Sequence, residues 1–314
     1  MLKLVIERKI KSGDVNLKCR IVKLKSKFHK WKIKNKENIM GYMLLLPSLI
    51  GTSIFMLIPF IDAFVRSFKE AMSGKFVGID NYKTVIENKA FSLGAYNTIK
   101  FTLICIPMLL VISLIISSLI INMKRYSDFF RTSYLIPLSI PVASIVLLWK
   151  VFFHDNGLLN KFISNYGIES ISWLNTSNAF YVLVFTYIWK NCGYDMVIWS
   201  AGLNNISESL YEAASIDGCG KIKKLIYITL PNLKTTVFTV TALSLINSFK
   251  VFREAYLICG NYPDDSIYMM QHLFNNWFVN MDVQKMCAAA MMMAGIIFII
   301  MIIMQYLSED RDMT

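Results

Sequence analysis

The stretch that decides the fold is Tyr211–Pro231, "YEAASIDGCGKIKKLIYITLP". It is polar and helix-prone, and its second half is basic. The chain around it is greasy: of 314 residues 55% are hydrophobic and 17% charged, against roughly a quarter charged in ordinary soluble domains. The apolar residues come in blocks long enough to cross a bilayer, with the charges clustered between them. A hydrophilic insert of this length between two such blocks calls for a partner or a function.

Around the insert, six blocks reach about 20 residues or more, the length that spans about 30 Å of hydrocarbon. They run from about Ile39 to Phe64, Asn97 to Asn122, Thr132 to Phe153, Ala179 to Leu203, Thr235 to Ile258 and Met286 to Leu307. A backbone in lipid must satisfy its own hydrogen bonds, so each block is expected to be a helix. The expected fold is an all-α integral membrane protein with six transmembrane helices and a cytoplasmic loop between helices 4 and 5. Residues 1–38 form a basic tail, 39–307 the membrane domain with its loop at 204–233, and 308–314 a short C-terminal tail.

Charge sets the orientation. Thirteen Lys and Arg precede Asn38 against Glu7, Asp14 and Glu37, so the tail holds +10 of the chain's formal +12. A basic tail directly before an apolar span reads as a cytoplasmic anchor on anionic lipid, and no nucleic-acid partner is expected. Lys124, Arg125 and Arg131, and then Lys221, Lys223 and Lys224, lie on the same side as the tail. Asp264, Asp265 and Asp282 lie on the other. Both termini and the 211–231 insert are therefore expected in the cytoplasm. No cleavable signal peptide is expected, because the first apolar block starts near Ile39 and is too long for one.

Several spans are flawed as plain anchors. Pro107, Pro137 and Pro141 invite kinks. "YIWKNCGYDM" places Lys190, Asn191 and Asp195 inside the fourth block, and "INSFKVFRE" places Asn247, Ser248 and Lys250 in the fifth. By helix rise Lys190 lies on the order of 15–18 Å from the outer end of its span. A charge so deep must face water or protein. Either Lys190 lines a water-filled path, or it pairs with Asp195 and both are structural. Lys250 and Arg253 have a second option, snorkelling outward to the headgroups.

Enzymatic chemistry finds no support. "DGCGK" lacks the first Gly and the final Ser or Thr of a phosphate-binding loop, with Ser215 and Ile222 in those places. Only His29, His154 and His272 occur, too dispersed for a zinc site, and the six cysteines form no metal-like cluster. No catalytic residue, metal or bound cofactor is expected.

The insert reads as two short helices bent at a glycine. Asn205 with Glu208 offers a capping box, with Ser209 and Glu212 as an alternative one turn later. Gly218 and Gly220 supply a C-cap and a turn. Lys221–Ile228 is then a second helix, and Pro231 breaks it before span 5. Glu212–Ala213–Ala214, three residues, Gly218, nine residues, Ile228, one residue, Leu230–Pro231 resembles the EAA motif of binding-protein-dependent ABC importer permeases. The likeness extends from about Gly41 to Leu307. "GYMLLLPSLIGTSIFMLIPF", "FVGIDNYKTVI", "LIPLSIPVASIVLLWKVFFHDNGLLN" and "YIWKNCGYDMVIWSAGLNNISESLYEAASIDG" resemble the first permease subunit of maltose- and glycerol-phosphate-type carbohydrate systems. "CGNYPDD", Cys259–Asp265, departs from the Gly-Gly-Pro turn of many relatives.

The resemblance implies a translocation subunit of an ATP-driven carbohydrate importer in the bacterial plasma membrane. Glu212, Ala213, Ala214, Gly218, Ile228, Leu230 and Pro231 would dock into a separate ATPase. The solute would pass Tyr187, Lys190, Asn191 and Tyr194 on span 4 and Asn247, Ser248, Lys250 and Val251 on span 5. Lys190 and Lys250 hint at an anionic solute. The implied partners are a second related permease, an ATPase dimer that uses ATP and Mg²⁺, an extracellular or periplasmic solute-binding protein, and membrane lipid. A permease for a polyamine or oligopeptide, or an ATP-independent secondary transporter, remains the alternative.

Overall fold

The computed structural model describes residues 40–71, 73–123, 125–260 and 262–309, with side chains except those of residues 250, 259 and 307–309. The expected basic tail, Lys124 and residues 310–314 lie outside the described residues. The described residues are mostly helical, and their only β pairing is an isolated bridge between Lys69 and Phe76. The chain divides into two units, one ending at Ala63 and one beginning at Phe64.

The first unit contains most of α1 (Met40–Arg66), 27 residues with a mean hydropathy of 2.1. Its apolar side chains are exposed along the whole length, Leu44 at 78% and Phe55 at 80%, as suits a helix whose solvent is hydrocarbon. A π-type turn at Ser53–Leu57 widens it just ahead of Pro59. That relieves the clash of a proline ring with the carbonyl one turn back.

The second unit is built around α3 (Lys89–Asn122), which follows the short α2 (Asp80–Ile86). α3 starts earlier than the hydropathy block because Asn88 caps it, its side chain accepting from the backbone N–H of Ala90 and Phe91. Pro107 is carried inside it without ending it. The third expected span bends where Pro141 invites a kink. It is two helices, α4 (Ser127–Ser139) and α5 (Val142–Phe152), bent by 89°. Pro141 disfavours helical geometry at Ile140, whose ψ of 130° is extended.

After α6 (Leu158–Ser164) comes α7 (Ala179–Asn204). α3 and α7 form the core. Phe101, Cys105 and Leu109 are buried against Phe180, Leu183 and Tyr187, with Phe101 edge-on to Tyr187 at a centroid distance of 5.3 Å. Further along, Trp199 Nε1 donates to Ser113 Oγ at 3.0 Å and Ser117 and Ser200 share a hydroxyl bond of 2.8 Å. Such polar contacts and close packing hold helices together where lipid removes the hydrophobic drive. Gly193 allows the tightest crossing: a Cβ there would lie 1.9 Å from the Tyr134 carbonyl oxygen of α4.

α8 (Glu208–Ile216) and α9 (residues 221–232) form the insert. α10 (Lys234–Ser248) continues through a 3₁₀ turn at Phe249–Val251 into α11 (Phe252–Cys259). α12 (Met270–Val279) and α13 (Val283–Glu309) complete the chain. The connection between α11 and α12 is pinned to α3: Asn97 Nδ2 donates to the carbonyls of Asp265 and Tyr268 at 2.5 and 3.0 Å. His272 on α12 is fully buried, its ring edge-on to Phe252 at 4.9 Å.

Among the described residues four helices are long and apolar enough to cross a membrane: α1, α3, the α10–α11 run and α13. The bent α4–α5 pair makes a fifth if it is one span. α7 has 26 residues, but Lys190, Asn191 and Asp195 dilute its apolar run.

Candidate functional site

Two places gather the residues that the sequence singles out. The first is the α8–α9 bend. The N-cap position of α8 is Ser207, which has extended backbone and makes no side-chain cap, and not Asn205 or Ser209. Asn205 instead closes α7, its N–H reaching the carbonyls of Gly202 and Leu203. Neither expected capping box forms: α7 claims Asn205, and Ser209 lies inside α8 with its hydroxyl sharing a 2.7 Å bond with that of Ser207. At the far end of α8, Gly218 N–H reaches Ser215 O at 3.2 Å and Cys219 N–H reaches Ala214 O at 2.9 Å. That pair of bonds is a Schellman motif, and it sets Gly218 at φ +74°. A Cβ on Gly218 would meet nothing within 4 Å. Glycine is therefore required there by conformation and not by space.

α9 differs from expectation. Lys221–Lys224 passes into a π-type turn, Leu225–Thr229, and on through Leu230–Asn232, so Pro231 lies within helix. The break falls at Leu233, which is completely buried. As in α1, the wide turn before the proline removes the clash that a regular helix would suffer. Tyr211 Oη and Thr229 Oγ1 share a bond of 2.9 Å that ties α8 to α9.

Glu212, Ala213, Gly218, Leu230 and Pro231 are exposed, Ile228 is half-buried, and Ala214 is buried within the chain. Ile216 at 87%, Ile222 at 74% and Tyr227 at 76% expose large apolar surfaces beside them. Sequence reading left Ile216 and Tyr227 unremarked; their signal was an apolar side chain in an otherwise polar loop.

The second place is a cavity of about 420 Å³ among α4, α5, α7, α10 and α11. Tyr187, Lys190, Asn191, Tyr194, Asn247 and Val251 line it, with Arg253 and Glu254. Ser248 does not; it is buried, and its hydroxyl donates to Leu245 O at 2.7 Å. Lys250 lies on the 3₁₀ turn, and its side chain is outside those described. A larger cavity of about 660 Å³ among α3, α4 and α7 is lined almost wholly by apolar side chains such as Met108, Ile112, Phe185 and Ile188. Only the smaller one offers the mixture of aromatic and polar groups that a polar solute needs.

The wall of that cavity overturns one expected pairing. Lys190 does not meet Asp195. Five residues apart, they point about 140° from each other around α7. Lys190 Nζ donates to Glu254 Oε1 at 2.6 Å, with side chains 16% and 7% exposed. Asp195 accepts from Ser244 Oγ at 2.7 Å on α10. Both bonds stitch α7 to the fifth block. Glu254 Oε2 is buried without a partner. Tyr187 Oη donates to Ser244 O at 2.8 Å, and Asn191 Nδ2 donates to Tyr187 O at 2.8 Å. Of the charged residues that line the cavity, Arg253 was expected to snorkel outward and Glu254 was missed altogether. Its signal was an acid at the end of "INSFKVFRE".

Known proteins match this architecture. Residues 110–312 match the family described as binding-protein-dependent transport system inner membrane component. The sulfoquinovosyl glycerol transport system permease protein SmoG of Agrobacterium fabrum is 31% identical over 73% of this chain and 77% of its own length. The arabinooligosaccharides transport system permease protein AraP of Bacillus subtilis is 28% identical over 70% and 72%. The sn-glycerol-3-phosphate transport system permease protein UgpA of Shigella flexneri is 27% identical over 83% and 91%. Among solved structures, a bacterial ABC transporter involved in the import of the acidic polysaccharide alginate superposes with a TM-score of 0.78 at 20% identity, covering 90% of this chain and 99% of that one. The fold, the bend and the matched residues together place the chain in the family of binding-protein-dependent transport system inner membrane components.

Proposed function

We propose that the chain is the translocation subunit of an ATP-driven importer for a carbohydrate. The observation that carries this reading is the bend at Gly218. It continues α7 on one side and α10 on the other, the two helices that also wall the polar cavity. A push on the bend therefore reaches the cavity through rigid helices. The curated relatives are permeases for saccharides or a glycerol phosphate, which favours a sugar or a sugar-like solute.

In this reading the membrane is crossed six times, with α7 as the fourth span and α4–α5 as the broken third. Both termini and the bend face the cytoplasm. Glu212, Ala213, Gly218, Ile228, Leu230 and Pro231 form the docking surface for an ATPase, with Ile216 and Tyr227 added to it, and Ala214 packs the bend from inside. The ATPase dimer supplies the chemistry of ATP and Mg²⁺, and this chain supplies none. A second permease closes the solute path, and a solute-binding protein delivers to its outer mouth. Closure of the ATPases rocks α8–α9 and switches the path between its inward and outward openings, a rigid-body change.

Gly218→Val tests the docking role. A β-branched residue at φ +74° is strained and redirects α9. We expect the variant to insert normally, to lose its ATPase on co-purification and to lose uptake. Normal co-purification and normal uptake would overturn the docking role.

A further inference from the structure

The deep lysine of span 4 suggests a receptor for an anionic solute, but the structure removes Lys190 from that role. Its ammonium already holds a carboxylate at 2.6 Å in a largely buried pair. A cation so compensated presents little net charge to the cavity, and a solute carboxylate would have to compete with Glu254 for it. Glu254 cannot be spared either. Its Oε2 is already buried without a partner, so taking Lys190 away would leave a bare carboxylate beside the path.

Arg253 is the next residue on the first turn of α11. It lines the same cavity, is exposed, and has no ion-pair or hydrogen-bond partner among the described residues. Tyr194, across the cavity on α7, also lines it and has no partner among them. A guanidinium that faces a polar cavity within a membrane protein offers a planar fork of donors, suited to a carboxylate, phosphate or sulfonate.

We infer that Arg253, and not Lys190, is the specificity-determining cation of the path, and that it recognises an anionic group on a saccharide or polyol solute. The Lys190–Glu254 pair is then the neutral strut that holds α7 against α11 and sets Arg253 at the cavity wall. This rests on the cavity being the solute path.

The test uses the complete importer, with its ATPase and binding protein, in proteoliposomes. Matched neutral and acidic probes are supplied: maltotriose and trigalacturonate, and glycerol and glycerol 3-phosphate. Uptake is measured as KM and maximal rate. We expect an acidic member to be taken up in preference to its neutral match. Arg253→Gln should raise the KM for that probe at least about tenfold, the size of a lost charge-assisted hydrogen bond, and Arg253→Lys should recover part of it. A merely structural Arg253 would lower uptake of both members alike and would not be rescued in this way. Uptake of only the neutral members, or an Arg253→Gln variant that keeps its acidic preference, overturns the inference and leaves the importer reading standing. Failure of every probe to drive uptake overturns the inference and the carbohydrate reading together.

Discussion

The bend at Gly218 and the wall at Lys190 are built from opposite kinds of information. The bend is local. Its Schellman bonds, its positive φ and the Tyr211–Thr229 tie all fall within residues 211–229. The wall is assembled from residues far apart in the chain. Lys190 finds Glu254 64 positions away, and Asp195 finds Ser244 49 positions away. A local device tolerates change in its surroundings and fails through conformation. A non-local one fails when any of its helices shifts.

The largest expected contrast comes from two glycines. Gly193→Ala drives a methyl to 1.9 Å from the Tyr134 carbonyl, backbone against backbone. We expect a destabilisation of about 3 kcal/mol or more, read as loss of folded protein in detergent. Gly218→Ala meets open space and strains only φ. Equal losses for the two would break the distinction between a spatial and a conformational glycine.

Comparable in size is the ion pair. Lys190→Met leaves Glu254 buried and uncompensated, at a cost of about 3–5 kcal/mol. The double replacement Lys190→Met with Glu254→Met should recover most of that. The thermal midpoints of the two singles and the double form the cycle that measures it. Additive losses would mean that the two side chains do not act as a pair.

A smaller effect follows from acid. Burial holds the His272 imidazole well below its ordinary value, at about 4. The unfolded chain therefore binds a proton that the folded one refuses as pH falls from about 6.5 toward 4. Stability is fully present above that window and is lost through it by about 1.4 kcal/mol per pH unit. His272 packs on Phe252 of α11, so acid should loosen the wall and spare the bend. Comparing thermal midpoints of wild type and His272→Gln at pH 7.5 and 5 checks this: the variant should lose less on acidification.

The smallest effect on stability belongs to Gly218→Ala, about 1 kcal/mol for a left-handed position. Its effect on co-purification of the ATPase should exceed its effect on the thermal midpoint. Proportionate changes in the two would make the bend only a loop.

These differences explain how much was legible in the sequence. Spans 1, 2, 5 and 6 appear close to their expected places, because hydropathy depends on composition alone. The bend was legible because glycine at a C-cap has one common use. The break at Ile140–Pro141 was visible as a proline, but its 89° angle depends on what α4 and α5 pack against. The helix through Pro231 was misjudged because a π-type turn has no strong signature. The pairing of Lys190 was legible only by half. A helix over the fourth block already turns Asp195, five residues on, away from Lys190, but choosing Glu254 required the packing of α7 against α11.

In the proposed mechanism the chain moves a solute only when a separate ATPase acts on the bend. The most direct measurement is uptake of a saccharide bound by the partner binding protein, into proteoliposomes assembled with and without the ATPase and with ATP supplied on the ATPase side. Uptake is expected only when ATPase and ATP are both present, and is expected to be lost in Gly218→Val. Equal uptake without the ATPase would contradict that mechanism and make the chain a self-contained carrier.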